Sequence, residues 1–184
     1  MHKAIVKENN MLLFSTKDGY KKICIWKDEI PFEYSNSDSV CVQYEGDSDI
    51  EWYNGIICME VKLHPRHISN YAMLCIRYNK NEKSNIIINN GVTDILFDSR
   101  VLPYGKKIST GLTKEYIEII EKFFKEYSSS KLPNGTIEVI TGGYDDVGSS
   151  ACSFEIIIEL LMYTFARINQ VSDQQLLYEL ISMI

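Results

Sequence analysis

The chain has 184 residues, of which 45% are apolar and 24% charged, ordinary values for one folded domain or one domain with an attached lobe. Those values exclude long disorder, and at this size a chain buries enough surface to fold without a disulfide or metal staple. The formal charge is −6, with 6 basic against 10 acidic residues in 1–53, 13 against 13 in 54–168, and none against 2 in 169–184. A protein that neutralises phosphates ordinarily carries a basic excess, so any RNA contact must come from a local patch.

Residues 1–53 read as an all-β lobe of short strands. Asp18-Gly19 separates the run Met11 to Thr16 from Tyr20 to Trp26, the signature of a hairpin. Cys24, Cys41, Cys58 and Cys75 recur every 17 residues, each flanked by aliphatic residues such as Ile23 and Ile25 or Ile57 and Met59. Side chains alternate faces along a strand, so the flankers line one apolar face and the cysteines the other, the pattern of half-buried antiparallel strands. Asn54 to Leu63 and Tyr71 to Tyr78 are two further strands joined by His64 to Asn70, and Ile86 to Ile88 and Thr93 to Phe97 are shorter ones.

Helices follow. Thr113 is placed to cap the first, with Leu112 and Ile117 as a hydrophobic staple across it. Tyr116, Ile120, Phe123 and Tyr127 form its apolar stripe. Pro133 and Asn134-Gly135 break the chain before the β-branched run Thr136 to Ile140, and Gly142 to Ser149 reads as a loop. A second helix over about Ser150 to Ile168 is apolar almost all round, and Ser172 caps a final helix in residues 169–184. Strands first and helices afterwards indicate an α+β fold.

Sites of chemistry are sparse. Gly143 and Gly148 have the spacing of a phosphate-binding loop, but Ser149 stands where Lys is needed, and Asp145 and Asp146 repel phosphate. His64 and His67 with the cysteines lack zinc-ligand spacings, and buried cysteine acting as a small hydrophobe is the commoner role. No nucleophile elbow is present, nor any paired-carboxylate context beyond Asp145-Asp146, which read as solvated loop acids. The expectation is therefore a protein with no catalytic residues, no metal and no cofactor. Arg100, Lys106, Lys107 and Lys114 with Tyr104 make the basic cluster that contains an aromatic, suited to RNA phosphates and base stacking, or else an ordinary solvated edge. The first ten residues lack a signal-peptide core, no apolar run has the length of a membrane span, and five cysteines without a C-x-x-C pair fit a reducing cytosol. The expected compartment is the cytoplasm.

One resemblance emerges from the helical half. Lys114-Glu115-Tyr116-Ile117, then Glu121-Lys122, then Gly142-Gly143-Tyr144-Asp145-Asp146-Val147-Gly148-Ser149-Ser150 and Phe154 follow each other in the order and spacing of a known family. The segment from residue 54 to about 168 resembles domain IV of translation elongation factor G and of the ribosomal protection proteins, without their GTPase machinery. The resemblance implies a small four-stranded, mostly antiparallel sheet with two helices on one face and a left-handed βαβ crossover, against the usual rule. It implies a non-catalytic module whose tip loops enter the ribosome. The family's Asp before the paired serines is Gly148 here, and its basic glycine-rich tip loop is His64 to Asn70. The expected contacts are His64, Arg66, His67, Arg100, Tyr104, Lys106 and Lys107, with the ribosome or structured RNA as partner. The alternative is a protein-interaction module, of the inhibitor or immunity type, meeting a basic protein through the acidic residues of 1–53.

Overall fold

The computed structural model describes residues 2–63, 71–127 and 132–184. Nine strands run in chain order: β1 (His2–Glu8), β2 (Met11–Thr16), β3 (Lys22–Lys27), β4 (Asp38–Gln43), β5 (Gly55–Lys62), β6 (Tyr71–Asn79), β7 (Asn85–Asp98), β8 (Lys107–Leu112) and β9 (Thr136–Tyr144). The helices are α1 (Lys114–Tyr127), α2 (Ala151–Arg167) and α3 (Asp173–Met183). The fold is α+β, with all nine strands in one open sheet of order β1-β2-β3-β5-β6-β9-β8-β7-β4. Pairing is antiparallel throughout except where the first half of β7 lies parallel to β9, Ile86 beside Ile137 and Ile88 beside Val139.

The single sheet is larger than the small one expected, and the β-rich N-terminal residues are part of it. Strands from residues 1–53 hydrogen-bond directly into it: β3 pairs with β5, and β4 pairs with β7 at the opposite edge. The reason is that β3 and β5 each need a partner to satisfy their backbone groups, and an apolar strand with a free edge is a liability.

The turns behave as their residues dictate. Gly19 sits at φ +72° in the β2–β3 hairpin, closed by the Thr16 amide on the Lys21 carbonyl at 3.0 Å. Asn9, at φ +46°, turns β1 into β2, a hairpin that the sequence reading overlooked. The two fragments around Ile86 and Thr93 are one long strand, β7, with an irregularity between Val92 and Leu96. Strand β8 also escaped notice, because Ser109, Thr110 and Gly111 dilute its apolar content. Gly111 adopts φ +96°, and a Cβ there would lie 1.9 Å from the Gly91 carbonyl oxygen, so only glycine lets β7 and β8 approach at this point. The segment expected to loop out at Gly142 instead continues as strand to Tyr144. Its glycines make room for Leu112 and Ile108 from the neighbouring strand.

All three helices pack on one face of the sheet. Phe14, Ile25, Met59, Leu74 and Ile76 from the strands meet Ile120 and Phe124 of α1, Ile157 and Leu161 of α2, and Leu177 and Leu180 of α3 in one core. Thr113 Oγ1 accepts from the Tyr116 amide at 3.5 Å, at the outer limit for a cap, while Ser153 Oγ accepts from the Ser150 amide at 2.9 Å to open α2. Where α1 crosses α2, Tyr116 stacks on Phe154 with ring centroids 4.2 Å apart. The final helix begins at Ser172, whose hydroxyl accepts from the Gln175 amide at 3.2 Å.

The cysteine face is not half-exposed, as the alternation had indicated, but buried as well. Met11, Cys24, Trp26, Cys58, Met73 and Cys75 form a second core under Phe97, Val101, Leu102 and the partly buried Ile30 and Phe32. Two non-local connections cover it: the segment after β3, and the β7–β8 hairpin. Cys58 and Cys75 lie opposite each other across β5–β6 and are joined by a disulfide, where free buried thiols were expected. Cys24 is buried on the same face, while Cys41 is exposed on edge strand β4, so the four regularly spaced thiols do not converge.

Phe154 is wholly buried between α1 and the sheet. Phe154→Ala should cost about 3–5 kcal/mol, read as a lowered urea midpoint with an unchanged slope. A loss under about 1 kcal/mol would mean that the two helices do not depend on this contact.

Candidate functional site

The register fixes what gathers at each end of the sheet. Lys22 opposes Lys62, Lys62 opposes Tyr71, and Asp98 opposes Lys107. Ser109 opposes Tyr144, which leads into the 145–149 loop. The β2–β3 hairpin, the junctions flanking residues 64–70, the 145–149 loop and the β7–β8 hairpin therefore share one end. At the other end lies the connection from β4 to β5, with Glu45, Asp47, Asp49 and Glu51 exposed. These four carboxylates thus lie opposite the hairpin's end, which also holds Asp98, Asp145 and Asp146 among its cations.

The cationic end is built on the β7–β8 hairpin. Arg100, Tyr104, Lys106 and Lys107 all sit on it and are exposed, and the Tyr104 side chain stands fully in solvent. The tip is a tight turn closed by the Lys106 amide on the Pro103 carbonyl at 3.0 Å, with Gly105 at φ +78° supplying the conformation it needs. Lys106 Nζ lies 3.1 Å from Asp145 Oδ1, which joins the hairpin to the loop before α2. Lys62 and Lys22, not singled out in the sequence, add to this end. Burial, then the neighbouring Lys22 ammonium, holds the Lys62 ammonium below the ordinary lysine value. Lys114 opens α1 and pairs with Glu118 at 3.8 Å, the bond of a solvated helix face. His64, Arg66 and His67 lie outside the described residues.

The 145–149 loop is held by its own bonds. Gly148 and Ser149 amides donate to the Asp145 carbonyl at 3.1 and 3.0 Å. Ser149 Oγ accepts from the Asp145 amide at 3.0 Å and donates to the Tyr71 carbonyl at 2.9 Å. Ser149 therefore ties the loop to β6, a structural use for the residue that stands where a phosphate-binding Lys would be.

Comparison with family models, with curated proteins and with solved structures gives no match. Among the described residues, no group of three or more His, Cys, Asp or Glu gathers to hold a metal, and no helix is long and apolar enough to cross a membrane.

Beneath the hairpin lies a residue that the sequence did not single out. Glu60, between Met59 and Val61 in β5, is completely buried on the cysteine face. Its Oε1 accepts from the Tyr71 hydroxyl at 2.9 Å and its Oε2 from the Arg100 amide at 2.9 Å, and the Ser99 side chain lies beside it. Burial raises the Glu60 carboxyl above the ordinary value of 4.5, against the Ser99 side chain, the bonds from Arg100 and Tyr71 and the Arg100 charge, all of which lower it. Burial likewise pushes the neighbouring Cys24 thiol up, with Glu60 adding to the effect, so Cys24 is an unreactive thiol.

A raised folded-state value means that the folded chain holds this proton more tightly than the unfolded chain does. The stability contributed is present below the unfolded value and is lost as pH rises through the folded one. Glu60→Gln carries no titrating proton at this position, so its stability relative to wild type should increase with pH across that window. Urea unfolding of both proteins from about pH 4 to about pH 8 checks this. A difference independent of pH would contradict the assignment.

Proposed function

We propose that this chain is a non-catalytic binding module of the elongation factor G domain IV kind, which meets ribosomal or other structured RNA with the cationic end of its sheet. The observation that carries the proposal is the convergence at one end of Lys22, Lys62, Arg100, Lys106 and Lys107 with an exposed Tyr104, in a chain whose overall charge is −6. A local cationic surface holding an aromatic in solvent suits phosphates beside an unpaired base, since every base offers a face for stacking. The acidic residues at the far end orient the module by repelling RNA there.

The kinship itself is supported by where the motif residues fall. Tyr116 of the Lys-Glu-Tyr-Ile segment and Phe154 after the paired serines stack against each other, and both helices lie on one face. The parallel pairing of β7 with β9, connected through β8 and α1, supplies the frame in which the family's unusual crossover would occur. Its left-handedness is part of the proposal.

The acidic connection between β4 and β5 favours the second reading, a module that meets a basic protein. The two readings use opposite ends of the sheet, so substitutions separate them. Purified ribosomes and a structured ribosomal RNA fragment should bind the wild-type chain at low salt, and the affinity should fall steeply as salt rises. Arg100→Ala with Lys107→Ala should weaken binding for every RNA tested and lower the salt slope by about 2. Asp47→Asn with Asp49→Asn should leave it unchanged or stronger. No RNA or ribosome binding at low salt ends the proposal. Capture of a basic protein that is lost in the Asp47 and Asp49 variant would replace it.

A further inference from the structure

Beyond the strand pairing of β7 and β8, three contacts of unequal kind hold the tip of the cationic hairpin. Val101 and Leu102 are buried against the second core, but apolar burial is non-directional and fixes no pose. Lys106 and Asp145 form an ion pair whose lysine is nearly half exposed, and such pairs contribute little and weaken with salt. The third attachment is to Glu60, the one charged residue completely buried among the described residues.

We propose that Glu60 is the positioning residue of the RNA-binding hairpin, because its buried carboxylate takes a directional hydrogen bond from the Arg100 amide at the hairpin's base. This role rests on the hairpin's use in RNA binding. The Arg100 amide donates to Oε2 at 2.9 Å, which fixes the point from which the Arg100 side chain leaves the fold. Ser99 is the hub. Its hydroxyl accepts from the Val101 and Leu102 amides at 3.2 and 2.9 Å, while its own amide donates to the Lys106 carbonyl at 3.1 Å. Both cationic arms of the hairpin, Arg100 and Lys106, are thereby indexed to one carboxylate inside the protein. The Tyr71 hydroxyl, donating to Oε1 at 2.9 Å, in turn holds that carboxylate against β6.

A structural role for Glu60 would show as general destabilisation. A positioning role shows at the hairpin, and a side chain of the same shape and hydrogen-bonding reach should restore it. Glutamine meets that condition, since its amide oxygen accepts from the Arg100 amide and its NH2 reaches the Tyr71 oxygen. Leucine does not.

The experiment measures hydrogen exchange of residues 99–106, and binding of a structured ribosomal RNA fragment, on the full chain as wild type, E60L, E60Q and S99A. In E60L and S99A, exchange in the hairpin should speed by about tenfold, the scale of one lost buried hydrogen bond, and RNA affinity should fall by a similar factor. E60Q should stay within about twofold of wild type in both. S99A removes the half-buried acceptor of the Val101 and Leu102 amides, so it loosens the base through which the Arg100 amide reaches Glu60 even if E60L does not fold. Hairpin exchange at the wild-type rate in S99A, or a loosened hairpin with unchanged RNA affinity, overturns the proposal. If wild type binds no RNA, the functional reading fails by itself, and unchanged exchange in the variants would then refute the tether separately.

Discussion

The middle of the sheet is buried on both faces, and most of what is distinctive in this protein follows from that constraint. Strands β5 and β6 lie under α2 on one side and under two long connections on the other. Any polar group placed there must be given partners, because an unsatisfied buried group costs more than its bond returns. Glu60 is such a group, and the donors it takes are supplied by β6 and by the hairpin between β7 and β8. A demand made by the core is thus met by a surface element. Farther along the same face, Glu138 accepts from Arg77 at 2.6 Å and from Asn89 at 3.0 Å, so this carboxylate is answered by strands and stays partly solvated.

What could be seen in the sequence depended on how local its cause was. The β2–β3 hairpin and the strands at 54–63 and 71–78 announce themselves through alternation and turn residues, and both long helices through their apolar stripes. The second core did not announce itself. Alternation showed that Cys24, Cys58 and Met73 share a face, but the cover for that face comes from Phe32, Val101 and Leu102, remote in the chain. Strand β8 was hidden for a related reason, since Gly111 looks like a breaker until Gly91 is brought against it. The cation cluster was legible as far as Arg100 to Lys107 because one hairpin carries it. Lys22 and Lys62 join it only through strand pairing.

Net charge proved a poor guide to surface character. The chain carries a net −6, yet strand direction brings Lys22, Lys62, Arg100, Lys106 and Lys107 to one end and Glu45, Asp47, Asp49 and Glu51 to the other. Antiparallel pairing brings connections of alternating parity to the same end, so the charge a partner meets is set by topology as much as by composition.

The placement of β4 has a consequence for the order in which the protein can assemble. This strand precedes β5 in the chain, yet its sheet partner is β7, Val40 beside Ile88 and Val42 beside Ile86. The first three strands and β5 can zip together as soon as they are synthesised, while β4 must wait until residues 85–90 have appeared. That stretch of β7 then relies on β9, made later still, for its other neighbour. One flank of the sheet is therefore a late event that closes long loops, and chain entropy makes such closures the slow part of folding. A growing chain halted before Thr136 would hold one flank of its sheet finished and the other without its central support.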